Sequence, residues 1–214
     1  MLNHKYCHCI LMAVKLIHMV EITDYIKKKG GYARMSELRS VGFQTRDIAK
    51  LCEQGSLEKV KAGLYKLSSS DVTSGYVDVS KAIPEAVIAV ASALSFHELT
   101  TFNPSKVHIA IPHDAKPKEI NFPPVEVYYF RKAQYEPGIE HVEIQGHSVK
   151  VYNREKTVCD IFRYRNKLGE DLALEGLQNY LNRSDSNLNE LSKYMKICRV
   201  KTVIEPYVKA MIAG

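Results

Sequence analysis

The spacing of apolar residues near the start of the chain predicts a helix that ends at a pair of glycines. Met19, Ile22 and Ile26 recur at intervals of three and four residues, so they share one face of a helix. The glycines at 30–31 end the pattern. Residues 1–18 precede this helix, and we expect them to form an extra helix or an extension of the first domain.

Two short helices come next in the pattern. Residues 35–40 fit one helix, and a second begins near Thr45, which is a good N-cap residue. The apolar side chains of the second helix are spaced to share one buried face: Ile48, Leu51 and Cys52.

A hairpin completes this region. Residues 57–60 and 64–67 fit two short strands, and the loop 61–63 between them ends in glycine, as a tight hairpin requires. Short helices followed by a small hairpin predict a winged helix-turn-helix domain over residues 1–67.

The rest of the chain predicts a second, larger domain. The polar stretch 68–79 fits a linker, and residues 80–214 form the domain itself. Residues 86–99 are apolar nearly all round and predict a buried helix. Strands are predicted at 107–111, 125–130, 142–144 and 149–152, and helices near 155–166, 171–181, 188–195 and 201–212. The predicted fold class is α+β, with a small, mostly antiparallel sheet flanked by helices.

Charge is distributed unevenly between the two regions. Residues 1–67 hold 12 Lys and Arg against 6 Asp and Glu, whereas the rest of the chain holds 18 of each kind. The formal net charge of +6 at pH 7 therefore lies in the first third. This asymmetry favours a polyanion as the partner of the first domain and a different partner for the second.

The predicted third helix carries polar and basic side chains opposite its apolar stripe. We expect Arg46 to pair with a guanine edge and Lys50 to contact a phosphate. Gln44 and Thr45 lie at the helix N-terminus, which favours phosphate. These residues are candidates for binding double-stranded DNA.

Four further basic residues extend the candidate DNA site. Lys59 and Lys61 lie at or beside the hairpin tip, and Arg34 and Arg39 add backbone contacts from the second helix. The alternative is a solvated basic surface on a helical domain that contacts no nucleic acid.

The second domain shows no recognisable catalytic motif. The sequence lacks the common phosphate-binding, hydrolase and metalloprotease motifs, and its histidines show no metal-ligand spacing. Asp114 and Glu126 are separated as nuclease carboxylates are, but no E-x-K follows. We therefore expect no catalytic residue, no metal and no cofactor.

The cysteines and the apolar segments predict the cellular compartment of the protein. The five cysteines are scattered without a disulfide framework, which favours a reducing cytoplasm. The apolar run at 7–20 is shorter than the roughly 20 residues that span a bilayer, so no membrane partner is expected.

A second basic patch is a candidate partner-binding site. Lys156, Arg163, Arg165 and Lys167 cluster in the sequence and favour an acidic partner or a nucleic acid. As cations near a helix C-terminus they would also simply complement the helix dipole. Lys156 lies four residues before Asp160, a spacing at which the two form an ion pair.

Three stretches in series carry a resemblance to a known family: MSELRSVGFQTRDIAKLCEQGSLEKVKAGLYKL, AVIAVASALSFHELTTFNPSKVHIAIP and VYNREKTVCDIFRYRNKLGEDLALEGL. They resemble the AbiEi-type antitoxins of bacterial type IV toxin–antitoxin (abortive infection) systems. The similarity runs from about Met19 to the C-terminus. The second and third stretches are more specific than the first, because many regulators share the winged helix.

The resemblance implies a non-enzymatic transcriptional regulator with two domains. Its winged helix would bind operator DNA and repress its own operon, and its C-terminal domain would counteract a nucleotidyltransferase-type toxin. Thr45, Arg46 and Lys50 match the start of the family's recognition helix, and the hairpin lysines match its wing. The family often has a basic residue in place of Ala62, so weaker wing contacts are expected here.

Two other functions are compatible with the sequence. The first is an interaction module that docks on a partner protein through its winged helix. The second is a nuclease or nucleotidyltransferase with a DNA-targeting domain. The first predicts no salt-dependent affinity for DNA. The second predicts a carboxylate cluster in a pocket or a requirement for metal.

Overall fold

A computed structural model describes residues 17–68, 75–117 and 119–213 of the chain. These residues form eleven helices and two sheets, which confirms the predicted α+β class. The extra segment predicted at 1–18 lies outside the described residues, except for its last two positions.

The chain divides into two compact units. The N-terminal unit comprises residues 1–73 together with 119–122, and the C-terminal unit comprises 74–118 and 123–214. A short segment from later in the chain therefore belongs to the N-terminal unit. Its Asn121 amide donates a hydrogen bond of 2.9 Å to the carbonyl of Val60.

The N-terminal unit has the order helix, strand, helix, helix, hairpin. Its elements are α1 (17–28), β1 (Tyr32–Arg34), α2 (Met35–Ser40), α3 (Thr45–Glu53), β2 (Leu57–Lys61) and β3 (Leu64–Leu67). The strands form an antiparallel sheet in the order β1-β3-β2. The helices and the hairpin lie where the sequence predicts them, whereas β1 was not predicted.

Every helix of this unit contributes to one small apolar core. Its buried side chains are Ile22, Ile26, Ala33, Leu38, Ile48, Leu51 and Leu57. Cys52, predicted as part of the buried stripe, is only partly buried, and that burial raises the pKa of its thiol. Because Ile48 and Leu51 face the core, the opposite side of α3 faces solvent.

The hairpin turns tightly at Ala62 and Gly63. Gly63 has a φ of +77°, in the left-handed region that favours glycine. Its carbonyl accepts a hydrogen bond of 2.9 Å from the Met35 amide, which joins the turn to the start of α2. The register shifts between Lys59 and Lys61, so β2 carries a bulge just before the turn.

The C-terminal unit combines a five-stranded sheet with eight helices among its described residues. Its elements are α4 (Gly75–Ala82), β4 (Val87–Ile88), α5 (Val90–Phe96), β5 (Val107–Pro112), β6 (Val125–Phe130), α6 (Lys132–Tyr135), β7 (Ile139–Ile144), β8 (His147–Tyr152), α7 (Arg154–Arg163), α8 (Arg165–Leu168), α9 (Glu170–Leu181), α10 (Leu188–Ile197) and α11 (Lys201–Ala213). The four predicted strands and the predicted C-terminal helices are present. Helix α4 begins within the stretch 68–79 that the sequence analysis assigned to a linker.

Two predictions about this unit are wrong. The sheet order is β6-β5-β4-β8-β7, with β5 parallel to β6 and β4 parallel to β8, so the sheet is mixed rather than mostly antiparallel. The single helix predicted at 86–99 is instead the central strand β4 followed by α5. A strand buried on both faces and a buried helix are equally apolar, so periodicity does not separate them. Val90, at φ +51°, marks the change from strand to helix.

Helix α7 forms the middle of the helical layer. Residues 156–162 are all buried, and the helix packs against α5, α9 and α10. The approach of α9 to α5 is close, since a Cβ at Gly176 would lie 2.9 Å from a methyl carbon of Leu94. Solvent therefore reaches this helix at its two ends, around Arg154 and around Arg163, and not along its middle.

Candidate nucleic-acid interface and a cationic cleft

The outward face of α3 carries two basic side chains one turn apart. The side chain of Arg46 is 73% exposed, and that of Lys50 is partly exposed. Between them on the same side lies the small, exposed Ala49. The arrangement leaves a convex basic surface that protein atoms of the same helix do not block.

The N-terminus of α3 adds polar groups to this surface. Gln44 is the N-cap, not Thr45 as predicted, and its exposed side chain makes no cap hydrogen bond. Thr45 is the first helical residue, and its hydroxyl accepts hydrogen bonds from Arg39 at 2.9 Å and 3.3 Å. The guanidinium of Arg39 is therefore held beside the positive end of the α3 dipole, where an anion is stabilised.

The acidic residue at the start of α3 faces inward. Asp47 is only 7% exposed, and its carboxylate lies 3.7 Å from Nε2 of His18 and 3.9 Å from Nε of Arg46. Glu53 in the last turn is the exposed acidic residue of this helix. The first two turns thus present cations outward and keep their carboxylate beneath the surface.

The hairpin brings together a second basic group. Arg34 at the end of β1 and Lys61 at the end of β2 both pair in register with Leu64 of β3, from its two sides. Arg34 and Lys59 are exposed, and Lys61 is partly exposed. The structure therefore places these three side chains at the hairpin end of the sheet.

Lys156 does not belong to the predicted surface patch of the C-terminal unit. It is fully buried, with Nζ 2.5 Å from Oδ2 of Asp160 and 4.2 Å and 4.6 Å from the ring centres of Tyr152 and Phe130. The predicted ion pair is confirmed, but it lies in the core because α7 is enclosed by other helices. Lys156 is thus unavailable to a partner.

Asp160 depends on this lysine inside the core. Burial raises the pKa of its carboxyl group, and the ammonium of Lys156 opposes that shift. The thiol of Cys198 donates a further hydrogen bond of 3.5 Å to its other oxygen. The carboxylate therefore has partners on both oxygens.

Lys167 is also separated from the rest of the predicted patch. Its ammonium pairs with Glu126, which also pairs with Lys106 at 3.3 Å. The hydrogen bond from Lys167 is the main reason that the pKa of Glu126 is lowered. The carboxylate of Glu126 is thus paired with two lysines.

The remaining two patch residues line a cleft of about 640 Å³, which we call the arginine cleft. Arg163 and Arg165 are joined there by Arg131, from the end of β6, and by Arg199, from the end of α10. His113 and Tyr129 complete its polar wall, and none of its described lining residues is acidic. Sequence reasoning missed Arg131 and Arg199, because they lie far from Arg163 in the chain.

Arg163 is held in place by aromatic rings. Its guanidinium carbon lies 5.3 Å from the ring centre of Phe130 and 5.6 Å from that of Tyr164. Its Nη1 is buried and has no hydrogen-bond partner. A buried donor without a partner costs about 1–3 kcal/mol, so Nη1 of Arg163 is an unsatisfied donor in the wall of the cleft.

Comparison with models of known protein families gives no match to this chain, and comparison with curated proteins gives none either.

Two further properties concern the described part of the chain. Within it, no group of three or more His, Cys, Asp and Glu side chains is arranged to hold a metal ion. None of its helices has both the length and the apolar character needed to cross a membrane.

Proposed function

We propose that the N-terminal unit is a winged helix that binds double-stranded DNA, and that the protein is a transcriptional regulator. The observation that carries this proposal is the division of α3 into two faces. Ile48 and Leu51 anchor the helix in the core, while Arg46 and Lys50 project from the opposite side. A recognition helix needs both faces to reach base edges without losing its support.

The topology supports the same proposal. In a winged helix, a helical hairpin is followed by a small antiparallel sheet whose last hairpin contacts the DNA backbone. The order α1-β1-α2-α3-β2-β3 and the sheet order β1-β3-β2 fit that description. The excess of positive charge in residues 1–67 supplies the attraction to phosphate.

Salt dependence tests this part of the proposal. With five to seven phosphates contacted, a plot of log affinity against log salt concentration is expected to have a slope of roughly −5 to −6. Fluorescence anisotropy with a duplex from the region upstream of the coding sequence measures it. A slope near zero would instead favour a protein-docking module.

We further propose that the protein is a non-enzymatic, cytoplasmic antitoxin that represses its own operon. Its C-terminal unit would counteract a nucleotidyltransferase-type toxin. This proposal rests on the resemblance to AbiEi-type antitoxins. The two more specific stretches that carry the resemblance are residues 86–112 and 151–177. These ranges include the central strand β4, strand β5 and helix α7, so the resemblance concerns the framework of this unit.

A growth assay tests antitoxicity separately from DNA binding. When the neighbouring gene encodes a nucleotidyltransferase, its expression alone should arrest growth, and coexpression of this chain should restore it. The variant Arg46→Ala with Lys50→Ala should restore growth equally well when both genes have independent promoters. Failure of the unaltered chain to restore growth would refute the antitoxin role and leave the DNA-binding proposal standing.

A further inference from the structure

We propose that the arginine cleft of the C-terminal unit binds a small molecule bearing a di- or triphosphate group, specifically a nucleoside polyphosphate. The proposal stands apart from the DNA-binding and antitoxin roles, because it concerns a different unit and a different kind of ligand. The first observation that supports it is the positive charge of the cleft. Four guanidinium groups line one concavity whose described lining contains no carboxylate.

These arginines have no direct ion-pair partner, although Arg163 helps to lower the pKa of the buried Asp160. Among the described residues, none of the four guanidinium groups forms an ion pair with a carboxylate, in contrast to Arg154 and Arg183, which both pair with Asp185. Like charges gathered without counterions favour an anionic ligand that brings several negative charges at once. A polyphosphate has that property, and its oxygens match the forked geometry of guanidinium.

Two of the arginines are oriented in advance. The rings of Phe130 and Tyr164 hold Arg163, and Arg165 is fixed by a hydrogen bond of 2.9 Å from Nη1 to the carbonyl of Phe162. Arg165 retains its other donors for a ligand, whereas Nη1 of Arg163 is buried and unpaired. Fixing the side chains before binding lowers the entropy lost when a ligand is held.

Arg199 occupies a position that ordinarily suits glycine. It follows α10 with a φ of +60°. The next amide, that of Val200, donates a hydrogen bond of 2.9 Å to the carbonyl of Met195. This is the helix-ending arrangement in which glycine is common, because a Cβ atom crowds the backbone there. Strain of this kind is retained where the side chain is needed, and here the side chain lines the arginine cleft.

The dimensions and the wall of the cleft favour a nucleotide over free phosphate. A volume of about 640 Å³ is within the range of small-molecule sites. Tyr129 lies in the wall with half of its surface exposed, which offers a ring on which a base can stack.

Isothermal titration calorimetry with the full chain tests this proposal. The probes are ATP, sodium tripolyphosphate and adenosine, with EDTA present. We expect saturable binding of ATP, weaker binding of tripolyphosphate and none of adenosine. Arg199→Gly relieves the backbone strain while removing the guanidinium. It should therefore weaken ATP binding about tenfold or more without lowering the melting temperature.

Three controls sharpen the test. Arg131→Gln, at an exposed position, should weaken ATP binding similarly, whereas Lys196→Gln removes a positive charge from α10 outside the cleft and should not. The variant Arg46→Ala with Lys50→Ala should bind ATP as the unaltered chain does. No saturable ATP binding, or binding indifferent to Arg199 and Arg131, would overturn the proposal. Tripolyphosphate binding as tightly as ATP would also overturn it. So would cleft variants that lose affinity for duplex DNA but keep their affinity for ATP.

Discussion

Replacing Arg46 with alanine is expected to weaken binding of specific duplex DNA by about 1–3 kcal/mol, or roughly 5- to 150-fold. The loss should vary with the base sequence, because Arg46 is proposed to read a base edge. Lys50→Ala should weaken binding to all sequences alike and reduce the salt slope by about 1, because a phosphate contact carries no sequence information. Gel shift and anisotropy titrations of each variant measure both effects.

Lys27→Ala is the matched control for these variants. It removes one positive charge from an exposed position on α1, outside α3 and the hairpin. Long-range attraction to DNA would make all three variants lose affinity to the same small extent. Equal losses in Arg46→Ala and Lys27→Ala would therefore refute a specific role for the outward face of α3.

Lys156→Met is expected to destabilise the C-terminal unit by about 3–5 kcal/mol at neutral pH. The reason is that Asp160 would remain charged and buried without its cation. Urea unfolding monitored by far-ultraviolet circular dichroism measures this loss of stability. The double variant Lys156→Met with Asp160→Leu should recover most of it, since apolar residues then replace both charges.

The exposed pair formed by Lys132 and Glu136 is the control. It has the same spacing of four residues at 3.7 Å, with side chains 84% and 60% exposed. Lys132→Met should cost less than about 1 kcal/mol, because solvent already screens that pair. Similar losses for both lysines would show that burial does not govern the strength of the Lys156–Asp160 pair.

The stability of the Lys156→Met variant should also depend on pH. Burial already raises the pKa of Asp160, and without the lysine nothing of comparable size opposes that shift. A carboxyl group whose pKa is raised on folding stabilises the fold while protonated, and the stabilisation is lost as pH rises through the folded-state pKa. The variant should therefore be closer to the unaltered chain at about pH 5 than at about pH 8. A difference that grows as pH falls would contradict this account.

The N-terminal unit was the more predictable of the two units. Ile48 and Leu51 lie at helical spacing, and the glycines at 30–31 and at Gly63 mark turns that only a few backbone conformations allow. Local rules therefore located α2, α3 and the hairpin. Strand β1 escaped them, because three residues between a glycine pair and a helix show no period of their own.

The C-terminal unit was less predictable where long-range pairing decides the structure. Residues 86–99 are mostly apolar, and only their place between β5 and β8 makes Val87 and Ile88 a strand. Lys156 looked like a surface residue, since its partner lies one turn away, yet packing of other helices around α7 buried both. The arginine cleft brings Arg131 and Arg199 to Arg163 by tertiary folding alone, so no spacing in the sequence signals it.

Chemical-shift mapping tests the central claim most directly. Nitrogen-15-labelled protein is titrated with a short duplex from the region upstream of its coding sequence. If α3 lies in a groove with the hairpin on the backbone, amide shifts should change at 44–53 and at 59–63. Unchanged shifts in both segments at saturating DNA, with changes confined to other residues, would contradict the account.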